Sequence, residues 1–284
     1  MTMEKRTAIV LGLGEIGKPI YKMLAKAYGT DEVRGWDWDF GPDSDLWISR
    51  VVDKQTFDFM HVCYPQLPGF IESISEYNVL YEPNHIIVHS TVSPGILEEV
   101  QRAVNFEGGR SAMVHYSPVR GNLRDGMKEC LEYYTKYVGS VIEGEARDIP
   151  VFSPFKEWIT EVESHLAEAG FTVKHVGAVN GLVWAKLLDL AWYGLNIAFY
   201  QEVERIVQGS DYEIVKEFIS STPHESDGRA RREVFYGGFI GGHCVIQAIE
   251  KILAERDMPM LRAVIDSNLK RFVELAREKP PHHP

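Results

Sequence analysis

The stretch from Thr7 to Gly17, TAIVLGLGEIG, constrains the fold more than any other part of the sequence. An apolar run of strand type, Thr7–Leu11, leads into three glycines spaced GxGxxG, and an amphipathic run of helical type, Ile16–Ala27, follows. Each glycine has a mechanical task in such a strand-to-helix turn. Gly12 permits the tight turn, Gly14 lets the backbone approach a pyrophosphate, and Gly17 allows the helix to pack closely on the strand. The next strand, Val33–Asp37, ends in a carboxylate 20 positions beyond Gly17, the separation suited to accepting hydrogen bonds from ribose hydroxyls. Gly12, Gly14, Glu15, Ile16, Gly17 and Asp37 are therefore the expected cofactor residues, with a pyrophosphate over the positive end of the helix. The carboxylate repels a 2′-phosphate, and no arginine follows it in Trp38-Asp39-Phe40-Gly41-Pro42, so NAD is favoured over NADP. S-adenosylmethionine also offers a ribose and is the alternative cofactor that these residues leave open.

Further strands are expected at Phe57–Cys63, His85–Ser90, Ser111–Tyr116, Tyr137–Ile142 and Phe171–Val176, with helices at Pro94–Val104 and Phe155–Ala169. This alternation predicts an α/β fold, a Rossmann-like and mostly parallel sheet with helices on both faces. Past Ala178 the strand signals stop, and Leu182–Val207 reads as one long helix, apolar on nearly every side and thus expected to be buried all round. The roughly 80 residues beyond it are few to surround such a helix, so burial against a second copy is expected, giving a homodimer. Helices at Ile214–Ser220, Gly242–Glu255 and Met260–Arg277 complete an all-α region. The expected division is a dinucleotide-binding domain over 1–177 and a helical substrate and dimerisation domain over 178–284.

The 284 residues carry a formal charge of −11, which disfavours nucleic acid as a partner. No apolar run approaches the ~18 residues that a membrane-spanning helix needs. Cys63, Cys130 and Cys244 form no CxxC pair and leave an odd count, and Met1 to Arg6 lack the apolar stretch of a secretory signal, so a cytoplasmic location is expected. The scattered histidines have no metal-site spacing, and no metal is expected.

Several later motifs resemble the nucleotide-sugar dehydrogenases, which oxidise the C6 hydroxyl of UDP-glucose, GDP-mannose or UDP-N-acetylmannosamine to a carboxylate. Gly237-Gly238-Phe239-Ile240-Gly241-Gly242-His243-Cys244 is similar to that family's glycine-rich loop leading to its catalytic cysteine. His89-Ser90-Thr91-Val92-Ser93-Pro94-Gly95 resembles its STVPxG turn, and Tyr116-Ser117-Pro118 and Lys136-Tyr137-Val138-Gly139 resemble its next two strands. Ala185-Lys186 and Gln201-Glu202 are similar to the helix bearing its catalytic lysine. The likeness runs from Thr7 to about Ile249. It implies NAD, with Cys244 as the nucleophile toward an aldehyde, Lys186 stabilising the oxyanion and Thr91 placing a water molecule.

Three positions depart from the family's pattern. Val119 stands for a glutamate, Leu190 for an asparagine and Ala248 for an aspartate, and the family's C-terminal nucleotide-binding domain has no counterpart in the chain. Hydrolysis of a thioester needs general-base help, so loss of both carboxylates bears on the second oxidation. The expectation is a shortened, divergent relative, an NAD-dependent oxidoreductase acting on an alcohol group of a small anionic substrate. Two other classes stay open: a transferase such as a methyltransferase on the same scaffold, and a non-catalytic nucleotide-binding protein.

Around this core, Tyr64 and Pro65 end a sheet strand where ligands bind in open α/β sheets and are expected at the cofactor, whereas Cys63 reads as core. Ser117, Arg120, His243 and Arg232 are the expected substrate contacts, Arg232 together with Arg229 and Arg231, and Arg120 with Arg124, as clamps for an anion. Each has a plainer reading, the arginines as solvated faces, Cys244 as a packed thiol, Lys186 as a side chain reaching for solvent and His243 as a structural imidazole.

Overall fold

A computed structural model describes residues 6–37, 56–106, 111–121, 127–142, 154–221, 232–242 and 244–278. Short apolar strands alternate with helices through the first part of the chain: β1 Ala8–Leu11, α1 Gly17–Tyr28, β2 Val33–Trp36, β3 Phe59–Val62, α2 Phe70–Tyr81, β4 His85–Val88, α3 Ile96–Phe106 and β5 Met113–Tyr116. Next come α4 Met127–Tyr133, β6 Lys136–Ser140, α5 Pro154–Glu168 and β7 Val173–Ala178. The strands form one seven-stranded sheet ordered β2-β1-β3-β4-β5-β6-β7. β1 to β5 pair in parallel, β6 pairs antiparallel with β5, and β7 is parallel to β6. The architecture is the expected Rossmann-like fold with a helical C-terminal region.

Two features of this topology position the site. The chain winds from β1 to β2 on one side and returns to β3 on the other, so a crevice opens above the carboxyl ends of β1 and β3, the usual place for a ligand in an open α/β sheet. The reversal at β6 then carries its first residue, Lys136, to the segment that follows β5. The sequence motifs alone do not announce this reversal, since strand direction is set by the connection through α4.

Both faces of the sheet are covered. One face carries Ala8, Val10, Phe59, Ile87 and Val138 against Ile20, Met23 and Leu24 of α1 and Val162 and Leu166 of α5. Burial of one such side chain stabilises by about 1.5–3 kcal/mol, and alternation of side chains along each strand makes the layer continuous. The other face, with Ile9, Leu11, Met60, Val62, Ile86 and Val88, is equally buried.

The chain forms two compact units, Met1–Lys186 and Leu187–Pro284. The sequence-based division at 177/178 falls just before the long helix, α6 Val179–Ile206, whereas the compact units divide within it. The second unit holds the rest of α6 with α7 Ser210–Ser221, α8 Val245–Glu255 and α9 Pro259–Glu278. Total burial of the long helix does not hold within this chain: Leu188, Trp192, Tyr193 and Phe199 are 42%, 54%, 45% and 55% exposed. No helix among the described residues is long and apolar enough to cross a membrane.

Candidate functional site

The glycine turn is built as its spacing requires. Gly12 has φ +87°, and a Cβ there would meet the Tyr64 backbone nitrogen at 2.8 Å. A Cβ on Gly17 would lie 1.7 Å from the Gly12 carbonyl oxygen. Gly14 differs, because a Cβ there would meet no protein atom within 4 Å. Gly12 and Gly17 are glycines because of the fold, whereas Gly14 faces open space where a ligand group can approach the backbone.

Asp37 stands at the end of β2, where its carboxylate accepts a hydrogen bond from the Leu13 backbone N–H within the turn. The acidic residue thus fixes the shape of the turn. Ile16 caps α1 and is half-buried, while Glu15 and Gly14 are exposed beside it. These residues fit an adenosine diphosphate group: an open glycine backbone, a helix N-terminus and a carboxylate at the switch point of the sheet.

The same edge of the sheet supplies the other residues. Tyr64 follows β3, with its hydroxyl 2.9 Å from Ser73 Oγ, and burial pushes this phenol up to about 12. Pro65 is exposed, Thr91 is half-buried, and Ser90, next to Thr91 after β4, donates to the Tyr64 carbonyl. Ser117 is buried after β5, its hydroxyl donating to the Tyr137 carbonyl at 2.9 Å. Cys63 is half-buried and packs against the sheet core, where burial pushes its thiol up to about 12. Arg120 donates to the Thr135 carbonyl at 3.1 Å and lies over the rings of Tyr134 and Tyr137, at 5.4 and 5.0 Å. This arrangement ties the start of β6 to the end of β5.

One group at this edge is missed by motif reading. Lys136 is 3% exposed, and its ammonium faces the Ser117 carbonyl, the Pro118 carbonyl at 3.3 Å and His89 Nδ1 at 3.1 Å. Burial lowers Lys136 to about 7, Cys63 acting against the shift and Lys186 with it. Lys186, half-buried near the start of α6, therefore lies within electrostatic reach of a second lysine. An ammonium beside a second lysine makes an anion-attracting edge and favours the amine form of its neighbour, and a lysine that titrates near neutrality suits proton transfer.

Lys136 is joined to a set of buried imidazoles. His61, His85, His89 and His115 sit at alternating strand positions on the α1/α5 face, with His165 from α5, and all five are 0–1% exposed. With His175 on β7, every ring nitrogen in the set has a hydrogen-bond partner. Burial lowers His61 to about 3, with the Lys136 charge adding to it, and holds His89, His115 and His165 well below 6.5. Three of these four neutral imidazoles come from the sheet strands and their ends and one from α5, and a parity count of histidines along the strands is the sequence signal for the first three. No metal-binding cluster of His, Cys, Asp or Glu occurs among the described residues.

In the second unit the glycine-rich loop before α8 is clasped by side chains of α6 and α9. Asn268 accepts from the Ile240 N–H at 2.8 Å and donates to its carbonyl at 3.2 Å, while Gln201 donates to the Gly238 carbonyl at 2.7 Å. A Cβ on Gly237 would lie 2.8 Å from the Tyr200 carbonyl, so this glycine permits close backbone packing. Cys244 is exposed at the N-cap of α8. Arg232 is exposed before the loop, and His243, Arg124, Arg229 and Arg231 lie outside the described residues. The three divergent positions are apolar packing sites: Val119 belongs to the sheet core, Ala248 is fully buried and Leu190 is half-buried.

The sequence matches no protein-family model and no curated protein. The fold, by contrast, has many solved counterparts. A UDP-D-ManNAc dehydrogenase from Pyrococcus horikoshii superposes with TM-score 0.74 at 20% identity, over 95% of this chain and 70% of that one. A UDP-glucose dehydrogenase from Pyrobaculum islandicum gives 0.67 at 19% identity, over 98% and 72%. A 3-hydroxyisobutyrate dehydrogenase from Mycobacterium tuberculosis, solved with L-serine, gives 0.59 at 14% identity over 93% of both chains. At these identities the likeness establishes the fold.

Proposed function

We propose that the chain is an NAD-dependent dehydrogenase that oxidises an alcohol group of a small anionic substrate to the carbonyl level. The observation that carries this reading is the glycine turn, open at Gly14 and tied to Asp37, at the switch point of a sheet whose same edge holds Lys136 and Lys186. Bound there, the nicotinamide would supply the hydride acceptor. Gly14 and the α1 N-terminus hold the pyrophosphate, Asp37 meets the ribose, and Tyr64, Pro65 and Thr91 line the approach. Lys186, as the amine, takes the hydroxyl proton, and the positive edge of the sheet attracts the substrate's anionic group, with Ser117 as a further contact.

Two-electron oxidation is favoured over oxidation to the acid. Val119 and Ala248 are buried apolar residues where a thioester-hydrolysing relative is expected to have carboxylates. The likeness to the 3-hydroxyisobutyrate dehydrogenase, which acts on a small hydroxy acid by its name, spans 93% of both chains. Small hydroxy acids are accordingly the first substrates to try, and nucleotide sugars the second.

Calorimetric titration with NAD and with S-adenosylmethionine tests the cofactor: saturable binding of NAD alone is expected, and binding of S-adenosylmethionine alone overturns the reading in favour of a transferase. With a turned-over hydroxy acid, Lys186→Met is expected to lower kcat/KM by roughly 10²–10⁴. Product at the carbonyl level, with Cys244→Ala retaining turnover, separates this chemistry from the thiol-dependent four-electron reaction. The exposed Trp192 and Phe199 on α6 fit the homodimer read from the sequence, and sedimentation at twice the chain mass is the expected result.

A further inference from the structure

The imidazoles on the α1/α5 face form two hydrogen-bonded chains that differ in what ends them. In the first, the Gly177 N–H donates to His175 Nδ1 at 3.2 Å, and the Glu161 carboxylate accepts from His85 Nε2 at 2.8 Å. One end can only donate and the other can only accept. Every proton between them is thereby fixed: His175 Nε2–H to Ser140 Oγ at 2.9 Å, Ser140 O–H to His115 Nδ1 at 2.8 Å, and His115 Nε2–H to His85 Nδ1 at 3.2 Å. This chain holds one pattern.

The second chain runs from Lys136 Nζ to His89 Nδ1 at 3.1 Å, from His89 Nε2 to His61 Nδ1 at 2.9 Å, from His61 Nε2 to His165 Nε2 at 2.8 Å, and from His165 Nδ1 to Tyr28 Oη at 2.9 Å. Both of its ends can donate or accept, and two complete patterns satisfy it. With Lys136 as ammonium, its three hydrogens go to the Ser117 carbonyl, the Pro118 carbonyl and His89 Nδ1, and the imidazoles carry hydrogen on His89 Nε2, His61 Nε2 and His165 Nδ1. Tyr28 then donates to the His165 carbonyl at 3.0 Å. With Lys136 as amine, His89 Nδ1–H points to the Ser117 carbonyl at 2.8 Å and the lysine lone pair, hydrogen moves to His61 Nδ1 and His165 Nε2, and Tyr28 donates to His165 Nδ1. No buried group loses a partner in either pattern.

We infer that Lys136, His89, His61, His165 and Tyr28 form a proton relay between the ligand-binding edge of the sheet and solvent at the far side of α1. The outer terminus is suited to release: Tyr28 is half-buried and in contact with Arg6 and Glu168, themselves paired at 3.2 Å, with the carboxylate 42% exposed. The groups facing the inner terminus are Cys63, His89 and Lys186, those facing His61 are His89, His165 and Lys136, and those facing His165 are Tyr28, Arg6, His61 and His85. A lysine that burial brings to about 7 can load and unload this path near neutral pH.

The relay rests on the proposed dehydrogenase reading only for what drives it. Alcohol oxidation sends two electrons and one proton to the cofactor as hydride and leaves the hydroxyl proton on Lys186. The new ammonium repels that of Lys136, whose proton passes to His89 Nδ1. His89 Nε2–H then passes to His61 Nδ1, His61 Nε2–H to His165 Nε2, His165 Nδ1–H to Tyr28 Oη, and the Tyr28 hydroxyl proton to solvent. Each imidazole gains one proton and loses one, and the buried edge carries one positive charge before and after.

Imidazole ¹⁵N NMR of the full chain between pH 6 and 8.5, with single His→Gln variants for assignment, tests the relay without cofactor. His89, His61 and His165 are expected to invert their tautomers together at one shared midpoint, while His85, His115 and His175 stay Nε2–H throughout. In His61→Leu, which fills the space but offers no hydrogen-bonding atom, His89 keeps the inversion and His165 loses it. In Lys136→Met, which keeps the core filled, all three hold the high-pH pattern at every pH. Fixed tautomers in the unsubstituted chain, separate midpoints, or inversion of His165 in His61→Leu overturns the relay. Coupled inversion in a chain that does not bind NAD leaves the relay standing and removes the dehydrogenase reading.

Discussion

The free energy of unfolding, measured in urea, is expected to fall steeply as the pH drops from 7 to 5. His61, His89, His115 and His165 are buried and held neutral, with folded-state values depressed below 6.5 chiefly by loss of hydration. Below pH 6.5 the unfolded chain binds protons at these positions and the folded chain does not, so stability declines as the pH falls. At pH 5 each such group costs about 2 kcal/mol, and four together about 8 kcal/mol, against a typical total of roughly 5–15 kcal/mol. Acid unfolding near pH 5 is the consequence. Lys136 works in the same sense at higher pH: its folded value of about 7 lies below 10.5, so stability continues to rise between those two values. A flat profile between pH 5 and 7 would show that the imidazoles are charged or hydrated in the folded chain. Replacing His115 by Gln, which removes one titrating group outside the relay, is expected to lessen the slope by roughly a quarter over the interval.

Gly17→Ala and Gly14→Ala are expected to act in opposite ways although they stand three residues apart. At Gly17 the added methyl falls 1.7 Å from the Gly12 carbonyl oxygen and 3.0 Å from Cys63 Cβ, so α1 has to move away from β1. Overpacking against backbone costs about 3 kcal/mol or more, and for a chain of this size that lowers Tm by roughly 6–12 °C. At Gly14 the methyl enters open space, and Tm is expected to stay within about 1 °C. Its effect falls on the ligand instead. A methyl between the turn and a pyrophosphate should weaken NAD binding by at least about tenfold, equal to 1.4 kcal/mol, in calorimetric titration. Unchanged affinity in Gly14→Ala would remove the turn from the cofactor site.

Local signals account for most of what the sequence made legible. The strands at Ala8–Leu11, Val33–Trp36 and His85–Val88 fall within their expected ranges, and α1 and α9 lie within two residues of theirs. These elements announce themselves through apolar period and flanking glycine or proline. α2 is not announced, because its buried face mixes Phe70, Ile74 and Tyr81 with the polar Ser75 and Asn78. The apolar sides of the long helix are legible in composition, but Trp192, Tyr193 and Phe199 are exposed within the single chain. Apolarity says that burial is favourable, and the partner that provides it is a separate matter.

The sequence by itself determined the glycine turn, its acidic partner at the end of the next strand and the strand-helix alternation that makes a Rossmann-like sheet. Each of these depends on backbone conformation within a few residues, such as the positive φ at Gly12, or on periodicity along one element. The tertiary structure alone decided that Asp37 bonds back to Leu13, that Lys136 stands beside His89, and that the buried histidines join in hydrogen-bonded chains. Those pairings depend on strand order, on the antiparallel turn of β6 and on which face each strand gives to α5. Such relations join residues tens of positions apart, and local pattern carries no term for them.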